Sequence, residues 1–426
     1  MTDPLPDDQI TVTALGALGD GVATTHDGKQ VFVPGGLPGE AWAVDVNGGL
    51  RRLTSHPQRG PDRCPHYGRC GGCSTQHMPD DVYAAWKRDL VVTALRQHGF
   101  EAADALVAPL VRVAAQSRRR AVLTAVRRDG GFDVGFHAAR SHDVIAIRQC
   151  AVLVPAILRV LPALGELAAL TSGGSQEVRL ALLATATGLD VSVVEPRVAL
   201  GPGPRARIGE LAARAGFARV SIGDDAIVRL VEPTMMIGDV AVVPPPGAFV
   251  QASAEAEGHM TAAVLEGLGG ARRVADLFAG LGTFTLPIAR RASVAAFDTD
   301  RAALDALSAA TRAARGLKPV TARVRDLFRE PLSPRELVDV DAVVFDPPRA
   351  GARAQAERLA RTKLARIVAV SCNPATLARD LATLVTGPYR LRSVVPVDQF
   401  VFTAHVEAVA VLETSTQARP SRSRST

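Results

Sequence analysis

The chain is 426 residues long, 47% hydrophobic and 22% charged, with a formal net charge of +6 and an isoelectric point near 9.4. This is the composition of a globular protein of two to four domains. No apolar run reaches the ~18–20 residues of a membrane helix, and the start, Met1-Thr-Asp-Pro-Leu-Pro-Asp-Asp8, lacks the basic and apolar regions of a signal peptide. A cytoplasmic location with no membrane partner is therefore expected, and there the five cysteines read as ligands or catalysts rather than disulfides. The positive balance is compatible with a nucleic-acid partner, but it is uneven. Residues 1–57 hold 3 basic and 7 acidic residues, whereas residues 58–150 hold 14 basic and 9 acidic.

Residues 9–57 read as short strands separated by Gly, Pro and Asp-Gly turns, as in a small all-β barrel. Within them, Phe32-Val-Pro-Gly-Gly-Leu-Pro-Gly-Glu40 and the spacing of Gly21, Phe32, Pro38, Gly39 and Glu40 resemble the TRAM domain, a small RNA-associated barrel. Residues 58–80 form a Pro/Gly/Cys-rich loop. A helix is expected over 81–99, capped by Asp80 or Asp81. Strands follow over 110–150, a helix over 155–170, and alternating strand and helix over 177–232. From Val274 onward, strands alternate strictly with helices, which predicts a doubly wound, mainly parallel sheet. Residues 391–397 and 406–412 suit an antiparallel hairpin at its edge. The Ser/Arg-rich residues 414–426 read as a disordered basic tail.

The cysteines divide into two groups. Cys64, Cys70 and Cys73 sit in Arg63-Cys-Pro-His-Tyr-Gly-Arg-Cys-Gly-Gly-Cys73, and Cys150 stands alone. Three clustered thiols and a distant fourth suit a metal or iron–sulfur site. His66 and His77 lie close enough in sequence to keep zinc open. Cys372, in Ser371-Cys-Asn-Pro374, follows a strand and opens a helix with Pro374 in its first turn. A helix N-terminus favours thiolate, as a nucleophile requires.

Asp276-Leu-Phe-Ala-Gly-Leu-Gly-Thr283 ends the first strand of the parallel sheet, where ligands of open α/β sheets bind. Asp298 ends the next strand, where it can reach ribose hydroxyls. The Gly-x-Gly-Thr turn has no pyrophosphate cradle, which favours S-adenosylmethionine over a dinucleotide. Asp346-Pro-Pro-Arg-Ala-Gly351 offers a rigid shelf for a planar target. In His405-Val-Glu407 both polar side chains point the same way if Val406 lies in a strand, since strand side chains alternate, and Glu407 can then serve as a general base. Ser117-Arg-Arg-Arg120, Arg127 and Arg128 are candidate phosphate contacts.

Together these segments resemble the RNA uracil-5-methyltransferase family, the 23S rRNA enzymes and their tRNA relatives, over nearly the whole chain. The resemblance rests on the barrel, the Cys-x5-Cys-x2-Cys loop, Phe249-Val-Gln251, Asp346-Pro-Pro-Arg349, the block from Ser371 to Asp380 and His405-Val-Glu407. It implies an α/β fold: a Rossmann-like class I methyltransferase domain (241–413), an N-terminal TRAM-like barrel (1–57) and a central α+β cluster-binding domain (58–240). It further implies that Cys64, Cys70, Cys73 and Cys150 hold a 4Fe–4S cluster and that Gln251, Phe278, Thr283, Asp298, Asp326 and Asp346 surround S-adenosylmethionine. Cys372 is then the nucleophile that adds to uracil carbon 6, and Glu407 the base that removes the carbon 5 proton. RNA is the implied partner, with 23S rRNA favoured over tRNA, and a monomer is expected. A non-catalytic, redox-sensing RNA-binding protein is the competing reading. Ser253, Thr283 and Asp298 depart from the Asn, Asn and Glu common in the family.

Overall fold

The computed structural model describes residues 8–45, 47–195 and 200–415. Five strands come first: β1 (Asp8–Leu15), β2 (Gly21–Thr24), β3 (Gln30–Val33), β4 (Ala41–Val44) and β5 (Leu50–Arg52). β1 alternates buried Ile10 and Val12 with exposed Thr11 and Thr13, the period of a half-buried strand. A bulge between Val12 and Ala14 bends it, so its first half pairs with β4 and its second with β2. The result is a half-barrel of order β3-β2-β1-β4-β5, whose edge strands do not pair with each other among the described residues. Buried Glu40 ties it to the next loop, accepting hydrogen bonds from the backbone N–H groups of Leu37 and His56 and from Arg59.

The long helix α1 (Asp80–Gln97) starts one residue earlier than expected. Pro79 occupies its cap, and Asp80 and Asp81 lie in the first turn instead, where carboxylates complement the helix dipole. The short α2 (Ala103–Leu106) follows. The central sheet contains β6 (Arg120–Arg128), β7 (Gly131–His137), β8 (Val144–Ala146), β9 (Glu177–Thr185), β10 (Gly188–Val194), β11 (Phe217–Ile222) and β12 (Asp225–Arg229), in the order β12-β11-β10-β9-β6-β7-β8. Three helices accompany it: α3 (Pro155–Arg159), α4 (Leu161–Thr171) and α5 (Pro202–Ala215). The single helix expected over 155–170 is thus two. Val160 leaves helical geometry ahead of Pro162, and proline has no N–H with which to continue the preceding helix. A hairpin, β13 (Met235–Ile237) and β14 (Val240–Val242), leads onward.

The last sheet is the doubly wound one. It comprises β15 (Arg273–Leu277), β16 (Ser293–Asp298), β17 (Val320–Val324), β18 (Ala342–Phe345), β19 (Arg366–Ser371), β20 (Tyr389–Val397) and β21 (Glu407–Thr414), interleaved with α6 (Ala254–Leu268), α7 (Thr285–Ile288), α8 (Arg301–Ala313), α9 (Arg353–Leu359) and α10 (Pro374–Leu384). Its order is β17-β16-β15-β18-β19-β21-β20. The first five are parallel, and β21 runs antiparallel between β19 and β20. β18 is buried throughout, as parallel strands covered on both faces must be. On one face, Val91, Val92 and Leu95 of α1 join Leu377 and Leu381 of α10. On the other, Val264 of α6 belongs to a core that continues into Leu164 of α4 and Leu180 of the central sheet. Each such side chain contributes roughly 1.5–3 kcal/mol by burial. Thr414, expected to begin the tail, ends β21, and 416–426 lie outside the described residues. No helix among the described residues is long and apolar enough to cross a membrane.

Candidate active site

The parallel strands all end at one edge, and the predicted site residues gather there in two groups. At the β15–β17 end, Phe278 turns the chain with φ of 63°, a region costly for a non-glycine residue and frequent at functional sites. Gly282 follows with φ of 89°, and a Cβ there would lie 2.5 Å from Leu307, so the turn admits only glycine. Asp298 accepts the Gly280 N–H at 2.8 Å and the Asp300 N–H at 2.9 Å. Asp326 accepts the N–H groups of Phe328 and Arg329. The Phe278 and Phe328 rings lie 5.4 Å apart. Thr283 is half-buried on the glycine turn. Asp276, not among the predicted site residues, is buried beneath this turn and accepts the Thr285 hydroxyl at 2.5 Å, while its Oδ1 has no partner. Burial pushes its carboxyl up to about 7.

The second group forms where β18, β19 and β21 end. Ser371 pairs with Ala408 in the antiparallel register of β19 and β21. Continuing that register by one residue brings Cys372 opposite Glu407, and opposed residues share a face. Asn373 caps α10 by accepting the Ala375 N–H at 3.1 Å, with Pro374 in the first turn. The Asn373 side chain and Thr376 both donate to the Arg349 carbonyl at 3.2 Å, fixing the Asp346-Pro-Pro-Arg349 shelf beside Cys372. Gln251 and Asp346 belong to this group as well. Gln251 Nε2 donates to Asp346 Oδ2 at 3.0 Å, and Gln399 Nε2 donates to Gln251 Oε1 at 2.8 Å and to Glu407 Oε1 at 3.0 Å. Gln399 has no sequence signature that would have singled it out. Ser253 supplies a helix cap, its hydroxyl accepting the Ala256 N–H at 3.4 Å.

Two expectations are corrected here. β21 begins at Glu407, so Val406 is not in the strand. His405 is exposed, its ring edge-on to Phe400, while Glu407 is buried; the two do not share a direction. The helix N-terminus was also expected to favour thiolate, but the Cys372 thiol is pushed up to about 11. Burial is the main cause, followed by the Glu407 and Asp346 carboxylates, while Arg349 opposes the shift. Burial, then the charge of Asp346, also raises the Glu407 carboxyl, against the hydrogen bond from Gln399. Burial raises Asp346 likewise.

Cys372, Arg349 and His405 line a cleft of about 1020 Å³ that extends along the cysteine loop to Gly35 and Arg59 at the half-barrel. Of the candidate phosphate contacts, Arg118 and Arg120 line it, the first stacked over Phe400 and the second over Phe249. Arg119 faces the other way and pairs with Glu257 at 2.7 Å. Arg127 covers Phe132 and donates to Ser172. Arg128 is exposed.

Cys64, Cys70, Cys73 and Cys150 line one small void of about 20 Å³, and none forms a disulfide. Their loop is held on the central sheet by the Gly71 N–H bonding to the His137 carbonyl at 2.9 Å, and on the catalytic region by the Ser74 N–H bonding to the Phe402 carbonyl at 2.8 Å. Among the described residues, no three His, Cys, Asp or Glu side chains stand at the spacing of a single metal ion. His66 Nε2 accepts the Arg148 N–H at 3.1 Å, and His77 Nδ1 bonds the Tyr67 hydroxyl at 2.5 Å. Burial raises the Cys73 thiol to about 12, and Cys70 and Cys150 rise for the same reason.

Residues 211–415 match the family model described as tRNA (uracil-5-)-methyltransferase. A Brucella suis protein described as an uncharacterised RNA methyltransferase is 48% identical over 408 residues, 95% of this chain and 97% of that protein. The 23S rRNA (uracil(1939)-C(5))-methyltransferase of Chromohalobacter salexigens is 33% identical over 441 residues, covering 96% of this chain and 90% of that enzyme. Among solved structures, the Pyrococcus abyssi tRNA (uracil-54, C5)-methyltransferase in complex with S-adenosyl-L-homocysteine superposes with a TM-score of 0.72 at 24% identity, over 95% of this chain and 99% of that one.

Proposed function

The chain belongs to the RNA uracil-5-methyltransferase family and methylates uracil carbon 5 in RNA with S-adenosylmethionine as donor; on this premise we propose that its target is a uridine of 23S rRNA and that Cys372 and Glu407 carry the chemistry. The observation that carries this reading is that Cys372, at the wall of an arginine-lined cleft, directly follows the Ser371–Ala408 pair, so that continuing the register sets it opposite Glu407. A uridine reaching this pocket must be unstacked, which favours loops over duplex.

Carbon 5 of uracil is a poor nucleophile. Cys372, as thiolate, adds to carbon 6, and the π pair moves onto carbon 5 and the O4 carbonyl as an enolate. Carbon 5 then takes the methyl group, which S-adenosylmethionine supplies when bound. Glu407 takes the carbon 5 proton, the double bond re-forms, and the carbon 6–sulfur bond breaks to return the thiolate. Arg349, which opposes the upward push on the Cys372 thiol, favours the thiolate. Asp346 and the Pro347-Pro348 shelf orient the ring. Phe278, Thr283, Asp298 and Asp326 would hold the donor, with Gln251 and Asp346 at the boundary between donor and uracil.

We read Cys64, Cys70, Cys73 and Cys150 as ligands of a 4Fe–4S cluster. Four unpaired thiols around one void suit it. His66 and His77 are engaged elsewhere, which leaves the four thiols as the ligand set. A bound cluster would supply a structural cross-link between the loop and the chain at Cys150. On this reading 1–57 is a TRAM-like module flanking the RNA, 58–240 carries the cluster and 241–413 the chemistry. Iron and sulfide in anaerobically purified protein, lost in Cys70→Ser, is the expected result; zinc in their place would overturn it.

The experiment that tests the function is a map of 5-methyluridine in rRNA and tRNA from cells carrying wild-type protein or Cys372→Ala. Loss at one 23S position is expected. Loss in tRNA alone would keep the mechanism and overturn the choice of RNA, and an unchanged map would overturn the role of Cys372.

A further inference from the structure

Gln399 is 3% exposed and, through Gln251, links Glu407 to Asp346. Its amide nitrogen carries two hydrogens, and both are used, one on Glu407 Oε1 and one on Gln251 Oε1. This fixes the direction of the whole chain. Gln251 must turn its oxygen to Gln399 and its nitrogen to Asp346 Oδ2; reversed, it would set two amide nitrogens face to face. Glu407 Oε1 is likewise committed as an acceptor, while its Oε2 takes no hydrogen bond among the described residues.

The segment around Gln399 is pinned to α1 at several points. Lys87, fully buried on α1, donates to the Asp398 carboxylate and to the Phe400 carbonyl, the latter at 2.9 Å. Tyr83, one turn earlier, accepts the Phe402 N–H at 2.9 Å. Gln399 Oε1 is meanwhile buried without a partner. A Leu or Met would fill the same volume without that unpartnered oxygen, but would leave Glu407 Oε1 and Gln251 Oε1 without their donor. The polar group therefore serves its two acceptors rather than the packing.

We propose that Gln399 is a positioning residue for proton removal: it holds Glu407 with Oε2 free to take the carbon 5 proton, and it sets the amide orientation through which Gln251 holds Asp346. The proposal rests on reading Glu407 as the base. Removing the Gln399 amide should leave adduct formation and methyl transfer in place and slow the step that follows them, because Glu407 loses its fixed aim.

The test uses full-length Gln399→Leu and Glu407→Gln, S-adenosylmethionine, and total RNA from cells lacking the gene, quenched in SDS during a single turnover. The expected result is an SDS-resistant protein–RNA species in both variants. For Gln399→Leu, product release should be slower by roughly 10²-fold, within the range for general-base catalysis, with the KM for S-adenosylmethionine within about two-fold of wild type, since Asp298 and Asp326 are held by backbone N–H groups and not by Gln399. Wild-type turnover in Gln399→Leu, or slow turnover without the adduct, would overturn the proposal. A Glu407→Gln protein that forms no adduct while wild type methylates the same RNA would overturn the assignment of the base itself, and the proposal with it. S-adenosylhomocysteine binding reports folding, and Gln399→Met carries the same expectation if the leucine variant does not fold.

Discussion

The two ends of the catalytic edge use carboxylates in different ways. At the β15–β17 end, Asp298 and Asp326 are half-buried and accept backbone N–H groups. At the β18–β21 end, Glu407 is buried, Asp346 half-buried, and both are held by side-chain amides, with their carboxyls raised by loss of water. Backbone donors fix a charged acceptor where a ligand's hydroxyls can find it. A carboxylate stripped of water gains proton affinity, even against the amide hydrogen bonds that fix its direction, which suits a group that must take a proton. On the proposed reading, the same residue types serve binding at one end and proton transfer at the other.

The largest effect should come from Cys372→Ala. It is expected to remove methylation down to background, a loss on the order of 10⁴-fold or more, while S-adenosylhomocysteine binding measured by calorimetry stays within about two-fold. Loss of both together would merge the two ends. Next comes pH. Cys372 must lose a proton whose affinity is raised to about 11, and Glu407, also raised, must be ionised to act. Both requirements have the same sign, so single-turnover release of methylated RNA should rise through the neutral range and continue to rise above it. A rate falling between pH 7 and 9, on protein that stays folded, would contradict this assignment of roles.

At the donor end the expected changes are smaller. Asp298→Ala should raise the KM for S-adenosylmethionine by about ten-fold with little change in kcat, because it removes uniform binding; a fall in kcat alone would put Asp298 in the chemistry. Asp276 is the exception at that end, buried and raised from 3.8 to about 7. A carboxyl raised in the folded state contributes stability at low pH that is lost as pH climbs toward its folded value. Asp276→Asn, which can still accept the Thr285 hydroxyl, should therefore stabilise the ligand-free protein relative to wild type. The difference should move in the variant's favour up to about pH 7 and then level off, by on the order of a few kcal/mol across that window. Thermal scans across pH 5–8 test it, and a gain independent of pH would show that Asp276 is ionised throughout.

Local sequence carried much of this. The strand–glycine-turn–helix of β15, the Pro-Pro shelf and the Asn-Pro start of α10 are written in residues whose backbone preferences are narrow, so the edge of the sheet and the placing of Phe278, Asp298, Asp326, Asp346 and Cys372 along it could be read in advance. The alternating strands and helices likewise gave the doubly wound sheet. Boundaries were less legible where a proline or a cap decided them, as at Pro79 and Val160, because one residue there outweighs the periodic pattern.

Tertiary structure alone decided the rest. Ser117-Arg-Arg-Arg120 is one basic run in sequence, but in the fold Arg118 and Arg120 line the cleft while Arg119 turns to Glu257. His405 and Glu407 look like a pair until the start of β21 separates them. The thiolate preference of the α10 N-terminus is a local effect of one helix, whereas the burial and the two carboxylates that outweigh it come from β18 and β21, distant in the chain. Gln399 is an ordinary polar residue in an ordinary segment. It becomes the link between Gln251 and Glu407 only because α1, through Lys87 and Tyr83, anchors the loop that carries it. Sequence fixes which groups are present and which backbone each can adopt; burial and opposition across strands, which set proton affinity and direction, exist only once distant segments meet.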